Sequence, residues 1–148
     1  MEAIHPSESA LSRPVRLRAV KHEIRTSKAP APVGPYSQAV ESGAVYCSGQ
    51  IGVDPVTGKM EEGVVAQTAR ALANLEEVLK ATGLDLTDVV KTTVFVLNLG
   101  EYSQMNEEYA RHFSAPFPAR TTVQAVALPK GARVEIDALA ERKPPVAQ

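Results

Sequence analysis

Two helical stretches in this chain each separate one β-rich run from the next, and that alternation confines it to a sheet with helices laid against it. Residues 63–82 are the clearer helix. Val65, Thr68, Leu72, Leu75 and Leu79 step by three and four and make one apolar stripe. Gln67, Arg70, Asn74 and Glu77 read as the opposite, polar side. Glu61 and Glu62 precede the first turn, where negative charge suits the dipole, and Gly83 supplies a stop. Helical propensity returns from Glu101 to Phe113, with Tyr102, Met105, Tyr109 and Phe113 as the expected inner face. Strands are expected over 17–25, 44–48, 88–97, 119–128 and 132–141. The run 88–97 has few polar breaks, as in a strand covered on both faces. Residues 29–35 hold prolines that lock φ and lack N–H donors, so they form a rigid loop from which Tyr36 emerges. The order β-β-α-β-α-β-β is that of an α+β fold, a two-layer α/β sandwich with both helices on one sheet face. On the last strand Val134, Ile136, Ala138 and Ala140 point one way, and Arg133, Glu135, Asp137 and Leu139 the other. The uncovered face is therefore mixed in character, and subunit packing is one way to cover it.

A length of 148 residues predicts one domain, placed here at 20–142, with an N-terminal extension at 1–19 and a short tail at 143–148. Sixteen basic and 17 acidic residues leave a formal charge of −1, so no long-range field draws in nucleic acid. With no tryptophan and three phenylalanines there is little to stack bases on. The single cysteine, Cys47, excludes an intramolecular disulfide and a multi-cysteine zinc site, and it reads as a small core residue. The three histidines share no motif with it, so neither a metal nor a thiol nucleophile is expected. No run approaches the ~18 apolar residues of a membrane span. Arg13, Arg16 and Arg18 invite a transit-peptide reading, but Glu2 and Glu8 oppose it, and the cytoplasm is the expected location.

The chemistry is concentrated in Pro116-Phe117-Pro118-Ala119-Arg120-Thr121-Thr122-Val123, followed by Leu128-Pro129-Lys130-Gly131 and Val134-Glu135-Ile136-Asp137. Arg120 opens an otherwise uncharged strand. Its planar fork matches the two oxygens of a substrate carboxylate, although most strand arginines simply pair with a protein carboxylate. Glu135 is the candidate for orienting or deprotonating water, with Asp137 as its rival on the same face. A tight hairpin at Pro129-Lys130 would set Glu135 opposite Gln124, roughly 13 Å along the strand from Arg120. Either the last two strands are not neighbours, or the site is assembled across subunits. A helical crossover at 101–114 favours strand 119–128 running parallel to 88–97, with the final strand free to lie on the latter's other side.

These motifs resemble the RidA/YjgF family of 2-imino acid deaminases. So do Gly34-Pro35-Tyr36-Ser37-Gln38-Ala39, Ser48-Gly49-Gln50-Ile51-Gly52, Val90-Lys91-Thr92-Thr93-Val94-Phe95-Val96 and Asn106-Glu107-Glu108-Tyr109. The resemblance spans roughly residues 20–142. It implies a chorismate-mutase-like fold, a mixed sheet of about six strands with two helices on one face, assembled as a homotrimer around a central barrel with sites at subunit interfaces. It implies hydrolysis of 2-imino acids to 2-keto acids and ammonia without a cofactor. Arg120 would anchor the carboxylate and Glu135 would hold the attacking water. Tyr36, Ser48, Gly49, Asn106 and Thr122 would line the substrate, although a structural tyrosine, a strand-ending glycine and a solvent-facing asparagine are the plain alternatives. Thr122 stands where many relatives have cysteine, which argues against a thiol mechanism. Three other readings remain open: a non-catalytic 2-keto-acid binding protein, an endoribonuclease, and an isomerase on fold analogy alone.

Overall fold

The computed structural model describes residues 20–145. The proposed extension at 1–19 and the last three residues of the tail lie outside that range. Six strands form one sheet: β1 (His22–Ile24), β2 (Ala39–Ser42), β3 (Ala44–Ile51), β4 (Val89–Val96), β5 (Ala119–Gln124) and β6 (Val134–Ala140). Their spatial order is β1-β2-β3-β6-β4-β5. The helices are α1 (Gly63–Lys80) and α2 (Tyr102–Ala110). Only β4 and β5 run parallel, because α2 carries the chain back between them; the other pairs are antiparallel.

Both helices lie on one sheet face, as expected. Leu72, Leu75 and Leu79 of α1 and Met105 of α2 are fully buried against Val94 and Val96 of β4 and Val134 and Ile136 of β6. Each such side chain contributes about 1.5–3 kcal/mol on burial. β6 is central, and its alternation puts Val134, Ile136, Ala138 and Ala140 in the core. Glu135, Asp137 and Leu139 face the other way, half-buried. Gly83 ends the first helical region with φ 82°. No helix of the described residues is long and apolar enough to cross a membrane.

Several expectations give way. β2 is an additional strand, folded back on β3 at Gly43, whose φ of 77° makes the tight reversal. β1 is only three residues long, and β3 continues past Gly49 to Ile51. β5 stops at Gln124, and Pro129–Gly131 is a 3-10 turn, not a hairpin. β6 therefore skips β5 and inserts between β3 and β4. β4 is not apolar on both sides, since Thr93 and Phe95 are half-exposed on the open face.

The polar side assigned to α1 is also wrong. Val65 is 46% exposed, whereas Gln67 and Asn74 are 5% and 1% exposed. Asn74 Nδ2 donates to the carbonyls of Ile51 (3.2 Å), the last residue of β3, and Val53 (2.9 Å), just beyond it. Gln67 Nε2 donates to the carbonyl of Glu61 (3.0 Å), and its Oε1 accepts the Arg133 N–H (2.7 Å). Both amides supply partners that the sheet cannot. In α2, Met105 and Tyr109 are buried, but Tyr102 is 38% exposed and Phe113 only half-buried. Cys47 is in the core, and burial, with a smaller push from the Asp137 charge, raises its thiol to about 12.

Candidate active site

Register decides where the candidate residues go. Thr92, Val94 and Val96 of β4 stand beside Arg120, Thr122 and Gln124 of β5, and beside Ala138, Ile136 and Val134 of β6. All of these face the helices. Phe95 stands beside Glu135, and Thr93 beside Asp137, on the opposite face. Arg120 and Glu135 therefore point to opposite sides of one sheet. They are also two strands and three registers apart, about 14 Å between backbones. Within one chain no small molecule can touch both.

On the helix side, Arg120 is framed by α2. Its Nη2 donates to the Tyr102 hydroxyl at 2.8 Å. The guanidinium carbon lies 4.7 Å from the centroid of the Tyr109 ring and 5.6 Å from that of Tyr102, within cation–π range. Tyr109 is fixed in turn by a 2.8 Å hydrogen bond with Thr92 and by Phe113, whose ring lies 4.6 Å away. Burial raises the Tyr109 pKa, against smaller lowering by Thr92 and Arg120. Arg25, Arg70, Arg111, Arg133 and Arg142 each pair with a carboxylate. Among the described residues Arg120 pairs with none. A half-buried guanidinium without a counter-ion is a place for an anion. Asn106 lies one turn from Tyr102 on the same side of α2. Thr122, two residues beyond Arg120 on the same face, has a buried hydroxyl with no partner among the described residues.

The open face holds the second group. A cleft of about 100 Å³ is lined by Tyr36, Gly49, Lys130 and Glu135, with Val33 and Pro30 from the proline loop. The loop is held by buried Gln38, whose Nε2 donates to the carbonyls of Thr26, Ala29 and Pro30 while its Oε1 accepts the Thr26 N–H. That one amide replaces a ladder the prolines cannot make. The Tyr36 hydroxyl accepts the Val33 N–H at 3.3 Å, and its ring is half-exposed. Ser48 and Gly49 form a bulge opposite Asp137. The Ser48 hydroxyl is already donated to the Ser37 carbonyl at 2.6 Å. Gly49 lies so close to the Glu135 carboxylate that a Cβ would occupy its place.

Asp137 and Glu135 share this face but not their circumstances. Asp137 Oδ1 accepts the Thr93 N–H at 2.9 Å. The Glu135 carboxylate makes no hydrogen bond among the described residues, and its pKa is raised by burial and, to a lesser extent, by the Asp137 charge. A larger cavity of about 490 Å³ lies elsewhere, with Arg111, His112 and Lys143 on its wall. Each of those faces a carboxylate already: Glu107 and Glu108, Glu108, and Asp88. It offers no unpaired charge to a ligand.

The seven residues singled out from the sequence thus fall into two groups. Arg120, Asn106 and Thr122 stand on the helix side; Tyr36, Ser48, Gly49 and Glu135 stand about the open face. Tyr102, Tyr109 and Gln38 were missed as site-forming residues. No sequence signal singled them out, since Tyr102 and Tyr109 were both expected on the inner face of the helix.

A mixed six-stranded sheet with two helices on one face, an unpaired arginine and a desolvated glutamate define a class of small α+β metabolite-site proteins. The family model described as Endoribonuclease L-PSP matches residues 26–142, and the chain belongs to this RidA/YjgF family. It is 49% identical over 127 residues to the bovine (Bos taurus) 2-iminobutanoate/2-iminopropanoate deaminase, covering 84% of this chain and 93% of that one. The Arabidopsis thaliana Reactive Intermediate Deaminase A, chloroplastic, is 45% identical over 143 residues, 95% of this chain and 75% of the relative. RidA from the Antarctic bacterium Psychrobacter superposes with a TM-score of 0.80 at 43% identity, over 82% of this chain and 99% of its own. E. coli TdcF, solved with bound serine, gives 0.79 at 38% identity, over 82% and 99%.

Proposed function

We propose that this protein hydrolyses short 2-imino acids to 2-keto acids and ammonia, at sites where two subunits of a homotrimer meet. The carrying observation is Arg120, the one described arginine without a carboxylate partner. It stands in a chain similar along most of its length to proteins named as deaminases. Arg120 grips the substrate carboxylate with forked donors. Glu135 of a neighbouring copy faces C2 of the imine, with a water between them. The opposite-face geometry supports an interface site, because one chain cannot present both groups to one small molecule.

Glu135 takes a proton from the water as the water oxygen bonds to C2, and then passes that proton to the imine nitrogen, giving a carbinolamine and restoring the carboxylate. The C2–N bond then breaks, ammonia leaves with a proton from the new hydroxyl, and the 2-keto acid remains. A desolvated carboxylate is a stronger base than one in water, which suits Glu135 to the first step. Orientation and charge complementarity supply the acceleration. No cofactor enters this scheme.

A second reading has its own support: the Arg120 half is complete within one chain, so the protein could bind 2-keto acids without hydrolysing anything. The test generates 2-imino acids with an amino-acid oxidase and traps them with semicarbazide. Wild type is expected to lower semicarbazone formation and release ammonia, and Arg120→Ala to do neither. No effect of wild type on short, branched or aromatic substrates refutes the deaminase reading and leaves the binding one.

A further inference from the structure

We propose that Tyr102 is a positioning residue for Arg120: its hydroxyl, accepting from Nη2 at 2.8 Å, sets the plane of the guanidinium that receives the substrate carboxylate. This rests on the carboxylate-anchoring reading above. An arginine side chain left free loses about 2 kcal/mol of rotamer entropy when it is fixed on a ligand. Here part of that ordering is done beforehand. The Tyr109 ring supports one face of the guanidinium from 4.7 Å, and Tyr109 is itself held by Thr92 and Phe113. A ring contact alone leaves the fork free to rotate in its plane. The Tyr102 hydroxyl removes that rotation by engaging a single terminal nitrogen, and the remaining donors stay available for a bidentate pair.

The arrangement suits positioning better than simple structural support. Tyr102 is 38% exposed, so its ring contributes little to the core. Arg120 is the sole partner of its hydroxyl among the described residues. A neutral acceptor also leaves the arginine its full charge, which a carboxylate in the same place would cancel.

The test compares wild type with Tyr102→Phe, which keeps the ring and removes only the hydroxyl. Steady-state imine hydrolysis gives kcat and KM, and calorimetric titration with 2-oxobutanoate gives Kd without turnover. KM and Kd are expected to rise about tenfold, kcat to stay within about twofold, and Tm to stay unchanged. In an Arg120→Lys background, which has no planar fork to orient, the same change should shift Kd by less than about twofold. If wild type hydrolyses imines and binds 2-oxobutanoate, and Tyr102→Phe matches it in KM and Kd, the positioning role is overturned alone. If Tyr102→Phe weakens binding equally in both backgrounds, the hydroxyl acts apart from Arg120 and the proposal is wrong. A wild type that neither hydrolyses nor binds removes the carboxylate-anchoring reading, and this inference with it.

Discussion

Glu135 and Asp137 stand two residues apart on the open face of β6, yet only Asp137 is held by the sheet, through the Thr93 N–H at 2.9 Å. That bond leaves one Asp137 carboxylate oxygen occupied. The Glu135 carboxylate beside it has no partner among the described residues, with burial and then the Asp137 charge both resisting its ionisation. The division of labour between two like residues comes from register alone.

Glu135→Gln is expected to be more stable than wild type at neutral pH while losing imine hydrolysis. The folded state holds the Glu135 proton more tightly than the unfolded chain does. The Glu135 contribution to stability is therefore fullest below the ordinary carboxylate pKa of about 4.3 and is lost as pH rises through the higher folded value. Thermal melts of both proteins at neutral pH and near pH 4 test this, and the gap between them should close at the acid end. A variant less stable than wild type at both values contradicts it.

Gly49→Ala separates the fold from the site. The new Cβ meets the far end of a flexible side chain and not backbone, so the Glu135 carboxylate swings aside. The melting temperature should change little, while turnover falls at least about tenfold through the misplaced carboxylate. A melting temperature lowered along with activity would instead place Gly49 among the structural glycines.

Asn74→Leu should cost about 1–3 kcal/mol, because the Val53 carbonyl loses its donor in a dry place while the Ile51 carbonyl keeps only the Val53 N–H. Urea unfolding with an unchanged m-value reads this directly. Gly52 marks how close that crossing is, since a Cβ there would meet the Gln67 backbone at 2.5 Å.

Periodicity carried the layers: the Leu72, Leu75, Leu79 stripe and the even-numbered core of β6 are where the sequence places them. It failed where polar residues serve the interior. Gln67 and Asn74 look solvent-facing because an amide does not reveal that it will cap a strand two turns away. β2 was missed since four residues before a glycine carry too little alternation to separate strand from loop. The crossover through α2 argued for β5 parallel to β4 with β6 free to lie on the other side of β4, as it does, but it could not decide between that order and a hairpin. At the site, the residues were legible and their division was not. Arg120 and Glu135 could be named from motifs, whereas their facing depends on a register fixed by the whole sheet. The Tyr102 hydroxyl on Arg120 joins residues 18 apart and has no sequence signature.

Because the strand repeat is two residues, the sheet keeps two separate ledgers of mutation. From Thr92 onward in β4, and through β5 and β6, even-numbered positions share the face of Arg120 and odd-numbered ones that of Glu135. Changes on one face leave the other nearly untouched. On the proposed reading of the two faces, a lineage that lost Glu135 would keep the Arg120 side and its fold, so hydrolysis and binding alone lie a short walk apart in sequence space.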